Sequence, residues 1–150
     1  MKDGFIRVAA ATPDIKVADL VYNEAQVWNM IKEGEKNGAK LMVFPELCLT
    51  GYTCGDLFHQ DILVDTAADM LKKLIRRSEG HDVLFFVGLP WMKDGKLYNV
   101  AAAVHDGELL ALITKKNIPN YSEFYELRHF TPGPDVPEPM EWDGRIVPFG

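Results

Sequence analysis

The sequence predicts an α/β fold in which a mixed sheet carries two helices on one face. Residues 5–89 alternate short apolar runs with two amphipathic segments, in the order strand, helix, strand, helix, strand. The later part of the chain changes to strands separated by two-residue turns, which is typical of antiparallel hairpins. A βαβαβ unit followed by hairpins gives a sheet with both parallel and antiparallel pairs. The length of 150 residues suits one domain.

The first strand and the first helix are marked by their periodicity. Residues 5–12 alternate, which predicts a strand. A helical period follows, with Asp19 placed to cap the helix and Asn37-Gly38 placed to end it. These periods are carried by Ile6, Val8 and Ala10 in the strand, and by Val17, Leu20, Val21, Trp28 and Ile31 in the helix.

The next three elements continue the alternation. Residues 41–44 and 83–89 are continuous apolar runs closed by Pro45 and Pro90, as expected of strands covered on both faces. Between them lies a second amphipathic helix, with Gly80 just beyond its end. Its apolar face is Leu63, Ala67, Met70, Leu71, Leu74 and Ile75, and its predicted outer face carries Lys72, Lys73, Arg76 and Arg77.

Turn dipeptides organise the second half of the chain. Asp94-Gly95 and Asp106-Gly107 predict two-residue hairpin turns on either side of a strand at 97–105. In the following strand, residues 108–115, we expect Leu109, Ala111, Ile113 and Lys115 on one face and Leu110 and Leu112 on the other.

The last part of the chain is predicted to be mostly loop. Residues 119–130 show no clear period, the four prolines in 131–142 predict a loop, and residues 145–149 predict a final strand. Because the strands are apolar on both faces, we expect further chain or a partner subunit to cover the face opposite the helices. Left uncovered, that face should cause self-association.

Composition excludes several classes of function. A net charge of −6 without a basic stripe argues against nucleic acid or an anionic membrane as a partner. No apolar run is long enough to span a bilayer, and the N-terminal segment lacks the pattern of a signal peptide. Cys48 and Cys54 are too few for a disulfide framework, which suggests a reducing, cytoplasmic environment.

Several common catalytic and metal motifs are also missing from the sequence. Ser78 and Ser122 are the only serines, and neither lies in a nucleophile elbow. There is no glycine-rich phosphate loop. The four histidines are scattered without metal-ligand spacing, so we predict structural or solvent-exposed roles for them and no metal site. They are His59, His81, His105 and His129.

Two charged residues stand at the ends of predicted strands. Glu46 follows the strand at 41–44, where ligand sites of α/β sheets gather, and a partly desolvated carboxylate there could act as a general base. It could equally begin a loop and cap a helix. Lys115 ends an apolar strand face and could stabilise an anionic intermediate, or its stem could simply pack along that face.

Aromatic residues follow both strand ends. Tyr52 lies in the loop after Glu46, and Tyr121, Phe124 and Tyr125 lie in the loop after Lys115. They could line a small pocket or could fill space under the long loops, which is the commoner use of such residues.

These residues fall in a recognisable order. Val43-Phe44-Pro45-Glu46-Leu47, then Thr50-Gly51-Tyr52, resembles the glutamate motif of the nitrilase (carbon–nitrogen hydrolase) superfamily. The hairpins at 94–99 and 106–108, followed by Lys115, resemble the run that leads to its catalytic lysine. Within the superfamily, segments 51–58 and 115–121, with Phe124, Glu126, Arg128 and Phe130, resemble the glutaminase domains of glutamine-dependent NAD synthetases.

The resemblance implies an αββα sandwich of which residues 1–150 are the N-terminal part, with the C-terminal part of that domain and the synthetase domain absent. It implies a Glu–Lys–Cys triad in which Glu46 is the base and Lys115 stabilises the oxyanion. The family's nucleophilic cysteine comes after the lysine, so Cys48 and Cys54 do not match it. Tyr52, Tyr121 and Phe124 match residues around the glutamine pocket. Glu126 matches a supporting glutamate, with Glu123 as the competing assignment.

The implied function is hydrolysis of glutamine to supply ammonia, which a synthetase domain uses with ATP to convert deamido-NAD to NAD. The implied partners are glutamine, the synthetase domain and further copies of the chain, and no cofactor is expected in this domain. Two other interpretations are also open. The chain could be part of another nitrilase-type amidase or carbamoylase, or it could be a non-catalytic binding or oligomerisation module.

Overall fold

The computed structural model describes residues 4–150 as a single seven-stranded sheet with two α-helices packed on one face. The strands lie in the order β1-β2-β3-β4-β5-β7-β6, and the pairs β1–β2, β2–β3 and β5–β7 are parallel. The predicted α/β class with a mixed sheet is therefore confirmed. The elements are β1 (Arg7–Ala10), α1 (Leu20–Lys36), β2 (Ala39–Val43), α2 (Asp61–Arg77), β3 (Leu84–Lys93), β4 (Lys96–His105), β5 (Glu108–Thr114), β6 (Glu138–Trp142) and β7 (Arg145–Phe149), with short 3-10 helices at Gly55–His59 and Glu126–Arg128.

The ends of helix α1 follow the predicted capping residues. The Asp19 carboxylate accepts a hydrogen bond from the Tyr22 N–H at 3.1 Å, which satisfies one of the amides left unpaired at a helix start. At the other end the helix stops at Lys36, and Gly38 adopts a left-handed backbone with φ of 82°. Within the described residues, no helix is long and apolar enough to cross a membrane.

The predicted outer face of helix α2 is partly wrong. Lys73 and Arg77 turn toward helix α1 and donate to the fully buried carboxylate of Glu24 at 2.7 and 2.8 Å. A buried carboxylate requires such partners because it has lost its hydration. Lys72 and Arg76, on the same helix, remain exposed as predicted.

Strand β3 does not end at Pro90, as the sequence predicted, but continues to Lys93 opposite β4. The carbonyls of Phe86 and Gly88 point away from β4 and accept from the Phe44 and Leu49 N–H groups. Pro90 has the same orientation along the strand, so β4 does not require the N–H that proline lacks.

Strand β5 contains a bulge that changes the predicted distribution of its side chains. Ala111 pairs with Ala103 and Leu109 pairs with Val104, so Leu110 is an extra residue between two pairs. A bulge of one residue reverses the alternation. Leu109 is therefore buried toward the helices rather than sharing a face with Ala111, Ile113 and Lys115.

The proline-rich segment 131–142 is also not entirely loop. Its last five residues, Glu138–Trp142, form strand β6, which pairs with the correctly predicted strand β7. Strand β6 lies at the edge of the sheet, where Pro139 is tolerated because one side of the strand has no ladder to join.

The two faces of the sheet differ in burial. The helix face is sealed, and six of its side chains have no exposed surface: Phe85, Val87, Leu89, Ala102, Val104 and Leu112. The opposite face, called here the open face, is apolar but partly exposed, and includes Val8, Leu41, Val43, Phe86, Ala101 and Ile113. The expected second apolar face is therefore present.

Candidate active site

Glu46 is positioned by a tight turn that follows strand β2. Leu47, the next residue, has a φ of 52°, an unusual value for leucine that indicates a constrained turn. The turn packs directly against strand β3 at Gly88, where an added Cβ would lie 2.7 Å from the Pro45 carbonyl oxygen. Any larger residue at position 88 would displace the turn, so the site depends on this glycine.

Lys115 lies between two carboxylates, directly after strand β5. Its Nζ is 2.6 Å from Glu46 Oε1 and 2.8 Å from Glu126 Oε2. The Glu126 side chain is only 8% exposed, whereas that of Glu46 is 40% exposed. The fold thus joins three residues from separate segments, and Glu126, not the exposed Glu123, contacts the lysine.

Two further side chains hold these carboxylates in place. The side-chain amide of Asn99 donates to Glu46 Oε1 at 2.5 Å, and the backbone carbonyl of Asn99 accepts from the backbone N–H of Lys115 at 2.8 Å. The Tyr52 hydroxyl donates to Glu126 Oε1 at 2.6 Å. The site is therefore a connected network in which Lys115, Asn99 and Tyr52 supply the donors.

The charge state of the network follows from these contacts. Burial acts to lower the pKa of Lys115, but its hydrogen bonds to Glu126 and Glu46 and their negative charges outweigh burial and raise the pKa. Burial, the hydrogen bond to Glu126 and the neighbouring negative charges raise the pKa of Tyr52. At neutral pH, Lys115 is therefore a charged ammonium between Glu46 and Glu126, and the Tyr52 hydroxyl is a neutral donor.

Neither cysteine has the surroundings of a reactive thiol. Cys48 has no exposed surface, and burial raises the pKa of its thiol to about 12. Cys54 is also buried, with the pKa of its thiol raised by burial, and its Sγ lies 3.2 Å from the Thr50 carbonyl oxygen. Because the thiolate is the nucleophilic form, these groups are suited to packing rather than attack.

The aromatic residues occupy different positions around the network. Tyr52 contacts it directly, whereas Tyr121 is exposed and stacks edge-to-face on half-buried Phe124 at a centroid distance of 5.7 Å. Tyr121 and Lys115 line a hollow of about 620 Å³ formed mainly by residues 115–121. A second hollow, of about 380 Å³, lies on the open face and is bordered by Glu46, Asn99 and Lys115 together with Val43, Phe86, Ala101 and Ile113.

Asn99 and Gly88 belong to the site although the sequence interpretation assigned them no role there. Asn99 is a buried amide in a strand that is otherwise apolar around it, and such a residue normally has a specific hydrogen-bond partner. Gly88 interrupts an apolar strand, which often marks the close approach of another backbone. Both signals are present in the sequence, but neither indicates which segment is the partner.

The family model for carbon–nitrogen hydrolases matches residues 7–147. The chain belongs to the carbon–nitrogen hydrolase family. Among curated relatives, the chain is 37% identical over 147 residues to the glutamine-dependent NAD(+) synthetase of Mycobacterium tuberculosis, and 32% identical over 144 residues to that of Aquifex aeolicus. The alignments cover 98% and 96% of this chain but only 22% and 25% of those relatives.

Solved structures agree with the family assignment. A glutamine-dependent NAD(+) synthetase from Cytophaga hutchinsonii superposes with a TM-score of 0.90 at 28% identity, covering 97% of this chain and 25% of that one. An amidase from Nesterenkonia superposes at 0.72 with 24% identity, covering 95% of this chain and 54% of that one, and shares the fold. The chain therefore corresponds to about a quarter of the synthetases that it resembles.

Proposed function

We propose that this chain supplies the general base and the oxyanion-stabilising cation of a glutamine-hydrolysing site in an NAD synthetase. The observation that carries the proposal is the position of the Lys115 ammonium, 2.6 Å from Glu46 and 2.8 Å from Glu126. Two carboxylates around one ammonium leave a net negative charge, so one carboxylate can accept a proton while the lysine stays charged.

Hydrolysis of an amide by a thiol uses a general base and a group that stabilises the oxyanion, and Glu46 and Lys115 can supply these two groups. Glu46 takes the proton from the attacking thiol and delivers it to the leaving nitrogen, which departs as ammonia. The ammonium of Lys115 stabilises the negative charge that develops on the attacked carbonyl oxygen. Water then cleaves the thioester to give glutamate and restore the thiol. Glu126 and Asn99 orient the lysine and the base.

We assign the nucleophile to a cysteine outside residues 1–150. Support comes from the chemistry of Cys48 and Cys54, which are buried and have raised pKa values. The hollow of about 380 Å³ on the open face borders both Glu46 and Lys115, which makes that face a suitable side for the thiol to approach. A segment that covers the open face would also exclude water from the reaction.

The similarity to glutamine-dependent NAD synthetases favours glutamine as the amide, with Tyr52, Tyr121 and Phe124 around its pocket. In this proposal the ammonia passes to a synthetase domain that uses ATP and deamido-NAD, and the glutaminase part needs no cofactor. The acidic composition and the two free thiols suit a cytoplasmic enzyme. We further propose that the 150-residue chain by itself forms a homo-oligomer, since its open face is apolar and none of the described residues covers it.

The test compares two nitrogen sources in the enzyme that contains this chain together with its synthetase domain. We expect Glu46→Gln to abolish NAD formation from glutamine while leaving NAD formation from ammonium salts intact. Glu123→Gln is the matched control, because this glutamate is exposed near the site, and it should change neither rate. Retention of glutamine-driven synthesis by Glu46→Gln, or equal loss with both nitrogen sources, would contradict the proposal.

The 150-residue chain alone provides a second measurement. We expect it to release no ammonia from glutamine above background, because the attacking thiol is not among its residues. Robust turnover by the chain alone would overturn the assignment of the nucleophile. Faster hydrolysis of another amide by the complete enzyme would instead identify it as a different amidase of the family.

A further inference from the structure

A pair of histidines separated by 70 positions in the sequence meets at the surface, apart from the Glu46–Lys115 network. His129 Nδ1 lies 3.1 Å from His59 Nε2. The Asp56 carboxylate joins them, and one ligand atom from each of the three residues lies within 4.8 Å of the others. Sequence spacing did not predict this grouping, because His129 comes from a distant segment.

The local backbone explains why these side chains converge. Asp56 and His59 belong to the 3-10 helix Gly55–His59, in which residues three apart project from the same side. His129 directly follows the 3-10 helix Glu126–Arg128. The rings of Phe58 and Phe130 pack at a centroid distance of 5.0 Å and hold the two segments together. The histidine pair is therefore supported by an aromatic contact between the two segments.

The geometry points to a binding site for a borderline transition-metal ion, of the Zn²⁺ or Co²⁺ type, held by Asp56, His59 and His129. Two nitrogens bound tetrahedrally to Zn²⁺ at about 2.0–2.1 Å lie roughly 3.3–3.4 Å apart, close to the separation seen here. Imidazole nitrogens with one carboxylate oxygen form a donor set that suits such ions, and water completes the coordination.

The neighbouring cation Arg128 competes with the ion for the Asp56 carboxylate. Arg128 Nη2 lies 3.0 Å from Asp56 Oδ1, and both side chains are largely exposed. A divalent ion must compete with this guanidinium for the carboxylate, so removal of the arginine charge should tighten metal binding. This gives the site a signature that a simple histidine–histidine hydrogen bond lacks.

The position of the site connects it to the Tyr52–Glu126 hydrogen bond. Tyr52 lies four residues before Asp56, and Glu126 lies three residues before His129. An ion held by Asp56, His59 and His129 would therefore tie together the two segments that bring Tyr52 to Glu126. Binding of the ion requires only the three ligands and does not depend on the proposed glutamine hydrolysis.

The test is a titration of the purified chain with Co²⁺, followed by visible absorption, and with Zn²⁺, followed by calorimetry in a non-chelating buffer. We expect a single ion per chain. Loss of even an outer-sphere partner of a metal-bound histidine weakens affinity about 10- to 100-fold, so His59→Ala and His129→Ala should each weaken binding at least about tenfold. Arg128→Gln should bind more tightly.

His105→Ala is the matched control, because His105 is partly exposed on another part of the surface, and its affinity should equal that of the unaltered chain. Thermal unfolding in the presence of EDTA verifies that each variant is folded. The inference is overturned if either His59→Ala or His129→Ala binds as tightly as the unaltered chain, or if His105→Ala loses binding equally. The absence of both cobalt absorption and a measurable heat of zinc binding would also overturn it.

Discussion

On the helix side of the sheet, one carboxylate is shared by two cations, and at the candidate active site one cation is shared by two carboxylates. The first cluster joins Glu24 of helix α1 to Lys73 and Arg77 of helix α2. Glu24 has no exposed surface, whereas the two cations keep more than a third of their side chains in solvent. The buried carboxylate is therefore fully compensated, and its cations remain partly hydrated.

The second cluster has the opposite balance. Lys115 forms ion pairs with both Glu46 and Glu126. Glu46, the less buried of the two carboxylates, borders a hollow on the open face. One negative charge is left without a cation of its own. A buried carboxylate with two cationic partners fits a helix interface without leaving an unpaired buried charge, whereas a carboxylate that lacks a cation of its own and lies next to a cavity can exchange a proton with a bound molecule. The proportion of charges thus separates the two clusters, and we expect only the second to take part in catalysis.

The largest expected effect is on catalysis. Lys115→Met in the complete enzyme should lower glutamine-driven turnover by about 10²–10³-fold, the usual cost of losing one oxyanion donor, or about 2.7–4 kcal/mol. Lys73→Met is the matched control, since it removes a lysine that also contacts a carboxylate, and should leave turnover unchanged. Steady-state kinetics with glutamine measure both, and an equal loss in the two variants would remove the distinction between the clusters.

The next effect is on stability. Glu24→Ala should lower the free energy of unfolding by about 2–3 kcal/mol, less than for a fully buried pair because the two cations can turn toward water. Glu46→Ala should change it by less than about 1 kcal/mol, since the side chain of Glu46 is 40% exposed. Urea unfolding followed by circular dichroism measures both values. A larger loss for Glu46→Ala would mean that the site is built for stability.

A smaller effect concerns the open face. We expect the chain to self-associate at micromolar concentration, and Ile113→Glu should weaken this association about tenfold, or about 1.4 kcal/mol. Ile62→Glu is the control, because Ile62 is exposed on helix α2. Light scattering over a range of concentrations reports the mass of each variant. A monomeric unaltered chain, or equal weakening by Ile62→Glu, would show that the open face does not drive association.

The smallest effect is a dependence of stability on alkaline pH. Because its hydrogen bonds and carboxylate neighbours raise the pKa of Lys115 in the folded chain, its contribution to stability is fully present below the ordinary lysine value of 10.5 and is lost as pH rises through the folded-state value. The difference in unfolding free energy between the unaltered chain and Lys115→Met should therefore shrink as the pH rises above 10.5. A difference that grows with pH would reverse the assigned direction.

Much of the fold was predictable because its signals are local. The cap at Asp19, the stop at Gly38 and the turn at Asp94-Gly95 depend on residues close in sequence, and the structure has all three. The positions of Glu46 and Lys115 at strand ends also follow from apolar runs and the residues that close them. Local periodicity cannot show a bulge, which is why the face of Leu109 was predicted wrongly.

The partners of charged and polar groups depend on distant segments. The resemblance to the family left Glu123 and Glu126 as competing assignments, and the structure brings Glu126 to Lys115. The same holds for Asn99, whose partner Glu46 lies 53 residues away.

By itself, the sequence determined the order of elements, the α/β class and the strand ends that carry Glu46 and Lys115, because periodicity and turn chemistry act over a few residues. The tertiary structure alone decided that Lys115 is shared by Glu46 and Glu126, that Gly88 makes room for the turn at Glu46, and that His59 meets His129. These contacts require strand register and loop packing, which bring together groups whose separation along the chain has no fixed relation to their separation in space.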